Sequence, residues 1–578
     1  MIILGLNAYH WDSSAALIIE GKLIHASEEE RFNRIKHFSG FPIETVIWML
    51  RKEGLTLSDI DIITVPSKAL ENIFPKLRSL RFRKAINGLK RQKNRLGIKA
   101  DLIKRLNESG HSDLLGDNAD SVKVKYLEHH NCHVYSALAP SEFKQCAYLT
   151  LDAFGDYNSS KIGTYIDGKM SLISKTIYPH SIGIFYTAMT QFLGFHNVGD
   201  EYKVMGLSPY GDSRNYVELI SDMILFREGK FRLNLKYFTH MDDVEMSTDT
   251  SKPLLGSVFS EEVGKKLGIP SRHSSEPIKQ VHMDIAAAIQ KITELLIIDA
   301  ADYVWNQTGQ RNLILSGGVA QNSVVNGKIL SKTKFESLFV SAASHDAGLA
   351  VGSAVGYYIE QGLSFDKTSF KSAYTGYEAT EQEVNTLLRS LDYRFVEHLN
   401  DEELTDSVSN LLADGMVVGW FQGKAEYGPR ALGNRSILTN PARSDAKELI
   451  NSKIKRRESF RPFAPSVLAE FQEEWFDDSQ PSIYMERVIP FKKHKRALVP
   501  AVVHEDGSGR IQTVTKDINQ LYHQLIFKFN EKTGVPMLLN TSFNENEPVV
   551  NTPLEAYECF KRTDMDILVI NKVVIYKK

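Results

Sequence analysis

Cysteine is almost missing from this chain: Cys132, Cys146 and Cys559 are the only three in 578 residues. So few, and so far apart, they cannot form a disulfide framework, which excludes the stapled extracellular scaffolds and points to a reducing compartment, the cytoplasm. Long apolar runs are missing too. No segment approaches the roughly 20 residues that span a bilayer, so no membrane is expected as a partner. The first residues, Met1 to Leu6, lack a basic leader, and the chain turns polar at Asn7, so they read as a strand rather than a signal peptide. Net charge is nearly absent at −2, and low-complexity tracts and short repeats do not occur. With 42% hydrophobic and 24% charged residues the composition also lacks the signature of disorder.

What is present is enough chain for two domains. At 578 residues it exceeds the size at which a single core stops growing. Positive charge is concentrated in one place: Lys76 to Arg105 carries twelve Lys or Arg against Asp101 alone, +11, which leaves −13 for the remainder. Such a segment is either a solvated helical face or a surface that attracts phosphates or nucleic acid.

Residues 1–30 predict a β-meander: Ile2–Leu6, a polar stretch Asn7–Ser14, Ala15–Glu20, a Gly21-Lys22 turn and Leu23–Ser27. Ala147–Leu151 and Leu313–Leu315 read as buried strands, and His282–Trp305 as a helix leading into the second of them. A further helix is expected from Asp401 to Asp414. This is α/β alternation. Composition shifts between Leu363 and Glu378, so we place a domain boundary near 375, giving domains of 1–375 and 376–578.

Several clusters carry chemistry. In His129-His130-Asn131-Cys132-His133, the outer histidines lie four apart and share a helical face. Two imidazoles are not a metal site, but Asp152 and Asp346, each at the end of a strand or in a loop, are candidate partners. Mixed His/Asp ligation suits iron, zinc or manganese. Ser316-Gly317-Gly318-Val319-Ala320-Gln321-Asn322 follows an apolar strand, either as a tight turn or as backbone open to a phosphate. Gly199 to Leu207 mixes glycine, acid and lysine as a phosphate-covering loop or a surface turn would. The densest signal is Tyr427 to Arg435, followed by Lys455-Arg456-Arg457 and Phe460 to Pro465. Arginines set between Gly and Pro residues are preorganised, and their forks bind phosphate in pairs of hydrogen bonds. Arg510 and the loop Leu539 to Asn544 add donors that could hold an adenylate or carbamoyl group.

Taken together these motifs resemble the NodU/CmcH-type O-carbamoyltransferase family. The resemblance runs through His10 to Ala16, Glu28 to Phe32 with Lys36-His37, the His-x-x-x-His pair, Ser-Gly-Gly-Val-Ala-x-Asn, Asp-Ala-Gly, Gly-Pro-Arg-Ala-Leu-Gly-Asn-Arg-Ser, Phe-Arg-Pro-Phe-Ala-Pro and Asn-Thr-Ser-Phe-Asn. It implies an N-terminal actin-like (ASKHA or TsaD-like) domain followed by a C-terminal YrdC-like α/β domain. The second would join carbamoyl phosphate to ATP with Mg²⁺ and release pyrophosphate; the first would pass the carbamoyl group from its adenylate to an acceptor hydroxyl.

The same resemblance implies a divalent ion, Fe²⁺ with Zn²⁺ or Mn²⁺ as alternatives, on His129, His133, Asp152 and Asp346. It implies nucleotide at Gly317, Gly318 and Asn322, and carbamoyl phosphate and ATP at Arg430, Arg461, Arg510, Asn540 and Ser542. His10 would be the base, with Asp12, Lys36, Glu201 and Lys203 beside the substrate. Trp11 departs from the pattern, either shaping the acceptor pocket or packing. The acceptor is a small molecule or, on the strength of segment 76–105, a hydroxymethylated base in DNA. A non-catalytic nucleotide-binding protein of the actin-like superfamily is the rival from another class. The oligomeric state stays open between monomer and homodimer.

Overall fold

The computed structural model describes residues 1–68, 97–242, 246–247, 254–391, 394–397 and 400–577. They form two compact units, Met1–Val325 with Ile329–Lys371, and Asn326–Lys328 with Ser372–Lys578.

The first unit holds two five-stranded sheets. In one, β1 (Ile2–Asn7), β2 (Ser14–Ile19) and β3 (Lys22–Glu28) form the expected antiparallel meander, with Ile2 opposite Ile19 and Asn7 opposite Ser14. β4 (Ile62–Val65) adds parallel to β1, and β5 (Lys123–Tyr126) parallel to β4. A parallel neighbour needs a crossover. Helix α1 (Ile43–Glu53) lies in the connection from β3 to β4, its Val46, Met49 and Leu50 buried.

The second sheet repeats this plan. β6 (Gln145–Gly155), β7 (Asn158–Ile166) and β8 (Lys169–Ile177) form a meander, and β9 (Asn312–Ser316) and β10 (Ser337–Phe339) add in parallel on the free side of β6. The spatial orders are β3-β2-β1-β4-β5 and β8-β7-β6-β9-β10. Before β6 lies α2 (His129–Leu138); α3 (Gln280–Thr308) precedes β9; α4 (Leu349–Glu360) follows β10.

Helix α4 packs against both β1 and α2, and small residues make that possible. A Cβ on Gly5 would sit 2.1 Å from the Ala350 carbonyl oxygen, and one on Gly352 2.0 Å from that of Cys132. Backbone cannot yield as a side chain does. Gly352→Val is therefore expected to lower stability by about 1–3 kcal/mol or more through overpacking, read as a fall in thermal midpoint.

The second unit is built on a nine-stranded mixed sheet. Its strands are β11 (Phe395–Glu397), β12 (Val418–Phe421), β13 (Arg435–Thr439), β14 (Ala464–Leu468), β15 (Arg487–Pro490), β16 (Ser508–Val514), β17 (Met537–Ser542), β18 (Ile567–Ile570) and β19 (Val573–Tyr576). They lie in the order β11-β19-β18-β12-β13-β17-β14-β16-β15. Helices α5 (Asp401–Ala413) and α6 (Gln520–Thr533) pack on each other, burying Leu404, Val408, Leu525 and Phe529 in one core with Trp420 and Leu538.

One expectation changes here. Gly199 to Leu207 is not a loop: Glu201–Leu207 is helical, with Val204 and Leu207 buried. Of the basic segment 76–105, residues 76–96 lie outside the described residues. The rest enters the helix Ile98–Glu108, where Arg105 bonds Asp101 and Tyr9, Lys104 pairs with Glu108, and Lys99 bonds the Asp120 carbonyl. No helix among the described residues is long and apolar enough to cross a membrane, and all three cysteines are free and buried.

Candidate active site

Helix α2 begins at the first of the two histidines because Glu128, just before it, accepts a hydrogen bond from Asn131 N, 2.8 Å. Burial raises the Glu128 carboxyl, but Lys161, 2.8 Å away, outweighs it and brings it to about 2. The cap therefore stays charged, as a helix N-terminus favours. One turn on, the Nε2 atoms of His129 and His133 lie 3.1 Å apart, both side chains fully buried. Asp152, in β6, points Oδ2 at them from 3.1 and 3.5 Å, and Asp346 brings Oδ1 to 3.7 and 3.5 Å. Residues far apart in sequence thus present four ligand atoms to one point.

The donor set fits a divalent ion. Around a tetrahedral centre with bonds of about 2.0–2.2 Å, ligand atoms stand about 3.3–3.6 Å apart, close to the spacing found here. Asp346 Oδ1 is buried without a hydrogen-bond partner, a costly state for a carboxylate unless a cation faces it. Burial and the charge of Asp152 push the Asp346 carboxyl up, yet the neighbouring imidazoles of His10, His133 and His129 prevail and hold it low. Asp152 is likewise held well below the usual range by the two histidines, against burial. Both carboxylates are in the form that binds metal.

Gly155, which the sequence marked with no role, makes room for this cluster. A Cβ there would lie 2.0 Å from the His129 ring. Gly155→Ala is expected to weaken metal binding tenfold or more, measured by elemental analysis after dialysis against a chelator series. Gly317 (φ 94°) presses on the Leu151 carbonyl, and at Gly318 a Cβ would meet only Asp152 Oδ1, at 3.1 Å. The side chain of Asn322 is already engaged: it caps the following helix at Val325 N and pairs with the Gln290 amide. It faces the protein; Gly317 is buried and donates to the Ser344 carbonyl at 2.8 Å, so of the two glycines only Gly318 has space beside it.

His10 and Asp12 stand on the turn between β1 and β2. His10 Nδ1 stands 3.6 Å from Asp346 Oδ2, its ring 5.1 Å from that of His129. Asp12 bonds His37 at 2.7 Å, which fixes that pair. Asn7 donates to the Asp346 carbonyl at 3.0 Å, tying the first meander to the ligand loop. Glu201 accepts from Thr187 at 2.6 Å, while Lys203 is spent on Asp200 and the Phe195 ring. Lys36 is exposed, next to His37 in sequence, and no ligand atom of the cluster comes from it.

A second cluster occupies the second unit. β13, β17, β14 and β16 are neighbours in the sheet, so their ends gather side chains from four distant stretches. Arg510, in β16, is buried among the charges of Arg430, Arg457 and Arg461, and its Nε has no hydrogen-bond partner. Burial first, then these like charges, push its proton affinity down. A guanidinium does not give up its proton, so the strain remains as affinity for an anion.

Lys455, unremarkable in a Lys-Arg-Arg run, is also fully buried. It follows one turn of π-helix, Ile450–Ile454, a local distortion that recurs at functional sites. Its Nζ donates to Asn544 Oδ1 at 2.6 Å, Asn544 O at 2.8 Å and Ser542 Oγ at 3.2 Å. Burial and Arg457 hold its pKa well below the usual lysine value. Lys455 and Asn544, read from the sequence only as members of a basic run and a polar loop, thus belong to this cluster. Asn540 lies behind it, its amide bonded to Ala431 O, Ser466 Oγ and Gln512 Oε1. Arg435 is absent from it: that guanidinium is buried on the Phe421 ring and bonds the carbonyls of Gln422, Asn434, Tyr377 and Gly423.

Comparison with known proteins identifies both parts of the chain. A family profile described as Carbamoyltransferase N-terminus matches residues 2–355, and one described as Carbamoyltransferase C-terminus matches 409–577. An uncharacterized protein of Synechocystis is 36% identical, covering 100% of this chain and 96% of its own length. Nodulation protein NolNO of Sinorhizobium fredii is 34% identical over 99% of this chain and 80% of its own. The 3′-hydroxymethylcephem-O-carbamoyltransferase of Amycolatopsis lactamdurans is 28% identical over 73% of this chain and 75% of its own. Among solved structures, HypF of T. kodakarensis superposes with a TM-score of 0.31 at 13% identity, over 64% of this chain and 49% of that one, too little to argue from. Two profiles in tandem and a full-length relative above 30% identity place the chain in the carbamoyltransferase family, and it is an enzyme of carbamoyl transfer.

Proposed function

We propose that the second unit forms carbamoyl adenylate from carbamoyl phosphate and ATP, and that the first transfers its carbamoyl group to the hydroxyl of a small molecule. What carries this is the division of labour between the clusters: a buried His/Asp set suited to a cation in one unit, and a strained arginine cluster suited to polyphosphate in the other. A non-catalytic binding protein has no use for both. The meander-plus-two plan occurring twice in the first unit supports an actin-like lobe; we assign the second unit the YrdC-like role on its chemistry.

In the activation step water cleaves carbamoyl phosphate to carbamate and orthophosphate, a carbamate oxygen bonds to the α-phosphorus of ATP, and the bond to pyrophosphate breaks; Arg430, Arg457, Arg461 and Arg510 neutralise charge on the phosphates as pyrophosphate leaves, together with Mg²⁺ brought by ATP. Lys455 holds the Ser542–Asn544 turn in place beside them. In the transfer step the acceptor oxygen bonds to the carbamoyl carbon, the bond to the AMP oxygen breaks, and the hydroxyl proton passes to His10. Such proton transfer contributes about 10²–10⁴-fold. Asp346, within reach of His10, orients it. His129, His133, Asp152 and Asp346 would hold Fe²⁺, or Zn²⁺ or Mn²⁺, which supplies Lewis acidity and a fixed positive charge. Gly318 leaves backbone open for nucleotide beside Asp152, with Gly317 packed behind it on Leu151. The buried free cysteines suit a cytoplasmic protein.

The test is pyrophosphate release from ATP that requires carbamoyl phosphate, followed by a mass gain of one HNCO on an added alcohol. His10→Asn is expected to keep the first and lose the second. Absence of carbamoyl-phosphate-dependent release in the intact protein overturns the reading.

A further inference from the structure

The stretch Tyr427-Gly428-Pro429-Arg430-Ala431-Leu432-Gly433-Asn434 belongs to no helix or strand, and Gly428 (φ 112°) and Gly433 (φ 110°) hold backbone conformations that only glycine adopts readily. Irregular chain of this kind ordinarily runs over the surface. Here all of it but Pro429 and Arg430 is buried. Buried backbone groups need partners, and with no ladder to supply them side chains must.

From the Ala431 carbonyl to the Arg435 carbonyl each group has one. Leu432 N and Asn434 N at 2.8 Å, and Arg435 N at 3.1 Å, donate to a single oxygen, Oε1 of Glu426. Gly433 N donates to Ser436 Oγ at 3.1 Å. The Ala431 carbonyl accepts from Asn540 at 3.1 Å, and the Gly433 carbonyl from the Trp420 indole at 2.9 Å. The Leu432 carbonyl takes two donors, the Tyr374 hydroxyl at 2.7 Å and Gln512 at 2.6 Å. Gln422 N and Phe543 N serve the carbonyls of Asn434 and Arg435, each at 2.9 Å. At the other end Tyr427 N donates to the Ala373 carbonyl at 2.7 Å.

Glu426 gathers the most of this loop. It is 4% exposed, in the short strand Lys424–Glu426 opposite Tyr374, and charge-assisted hydrogen bonds such as its own are about twice as strong as neutral ones. A free carboxylate beside a phosphate site would oppose the ligand. With its charge spent on the loop amides, Glu426 instead fixes the backbone that carries Arg430, one of the cations bearing on Arg510.

We infer that Glu426 is a positioning residue of the activation site, holding the Tyr427–Asn434 loop so that Arg430 stands in the arginine cluster before any anion arrives. It rests on the activation step proposed above. Cations gathered at one place repel one another, and an unrestrained loop would relieve the repulsion by carrying Arg430 into solvent. The anion would then have to reorder the loop as it bound. Pinned backbone removes that cost, so charge developing on the phosphates meets a donor already in place.

The test is a double-mutant cycle on carbamoyl-phosphate-dependent pyrophosphate release, with bound metal followed in parallel and inorganic pyrophosphate titrated by calorimetry. Glu426→Gln keeps the shape and an acceptor oxygen but loses the charge. It is expected to lower kcat about tenfold and to raise the pyrophosphate Kd by a similar factor, with metal retained. Arg430→Ala is expected to cost about tenfold or more, and the double variant about the same as Arg430→Ala alone, because a residue acting through Arg430 then has nothing left to position. A merely structural loss would multiply instead. Should Glu426→Gln fail to fold, Tyr374→Phe leaves Gln512 on the Leu432 carbonyl; its expected several-fold loss disappears in the Arg430→Ala background. Glu426→Gln within about threefold of the unaltered enzyme in kcat and Kd, or losses that multiply, overturns the inference. If the unaltered protein releases no pyrophosphate yet binds it more tightly than Glu426→Gln does, the activation reading fails and the positioning stands. A protein that neither releases nor binds pyrophosphate overturns both.

Discussion

Arg510→Ala is expected to abolish carbamoyl-phosphate-dependent pyrophosphate release, by at least ~10²–10³-fold, while metal stays bound. The magnitude follows from what the guanidinium faces. Removing one preorganised donor from a developing negative charge costs about that much in other acyl-transfer sites. Arg510 is more than one donor: it is buried beside Arg430, Arg457 and Arg461, and its Nε has no protein partner. The repulsion among these cations is relieved only when an anion enters, so their affinity for phosphate is greatest where charge peaks. Arg510→Lys is not expected to restore activity, because an ammonium is a point charge that cannot make the paired contact. A steady-state pyrophosphate assay decides it, and activity retained within threefold in Arg510→Ala would remove the arginine cluster from the chemistry.

The second large effect belongs to Asp346→Ala. It is expected to release the metal and lower carbamoyl transfer by about 10²–10⁴-fold, while pyrophosphate release continues. Two functions end together because Asp346 serves both sides: Oδ1 faces the two histidines and Oδ2 faces His10. Asp346→Asn separates them, since an amide keeps the shape but neither charge nor strong acceptor. Metal content by elemental analysis and product by mass spectrometry give the two readouts. A variant that keeps both its metal and its transfer rate would make the four residues a structural polar core.

The opening meander was legible because its turns and alternation are local, and β1 to β3 lie where period and Gly21 put them. The His129 and His133 pairing was legible for the same reason, as one helical turn. Asp152 and Asp346 could be named by chemistry, but their meeting point depends on β6, β9 and β10 lying side by side, which no spacing records. The stretch after Gly199 misled because glycine and charge outweighed two apolar residues; burial of Val204 and Leu207 decides for helix. Arg435 misled: it looks like an anion ligand and is spent on four carbonyls. Lys455, read from the same basic signal, lies in the cluster but is buried and holds the Ser542–Asn544 turn. Composition sees charge, not depth.

The repeated plan of the two sheets has a consequence for the site. In each copy both turns of the meander carry left-handed residues that are not glycine: Tyr9, Asp12 and Glu20 in the first, Asp156, Tyr157 and Asp167 in the second. The first copy sets His10 and Trp11 on its first turn; the second sets Asp152 near the end of its first strand. Two copies of one plan thus bring unlike groups to one place, an imidazole from a turn and a carboxylate from a strand.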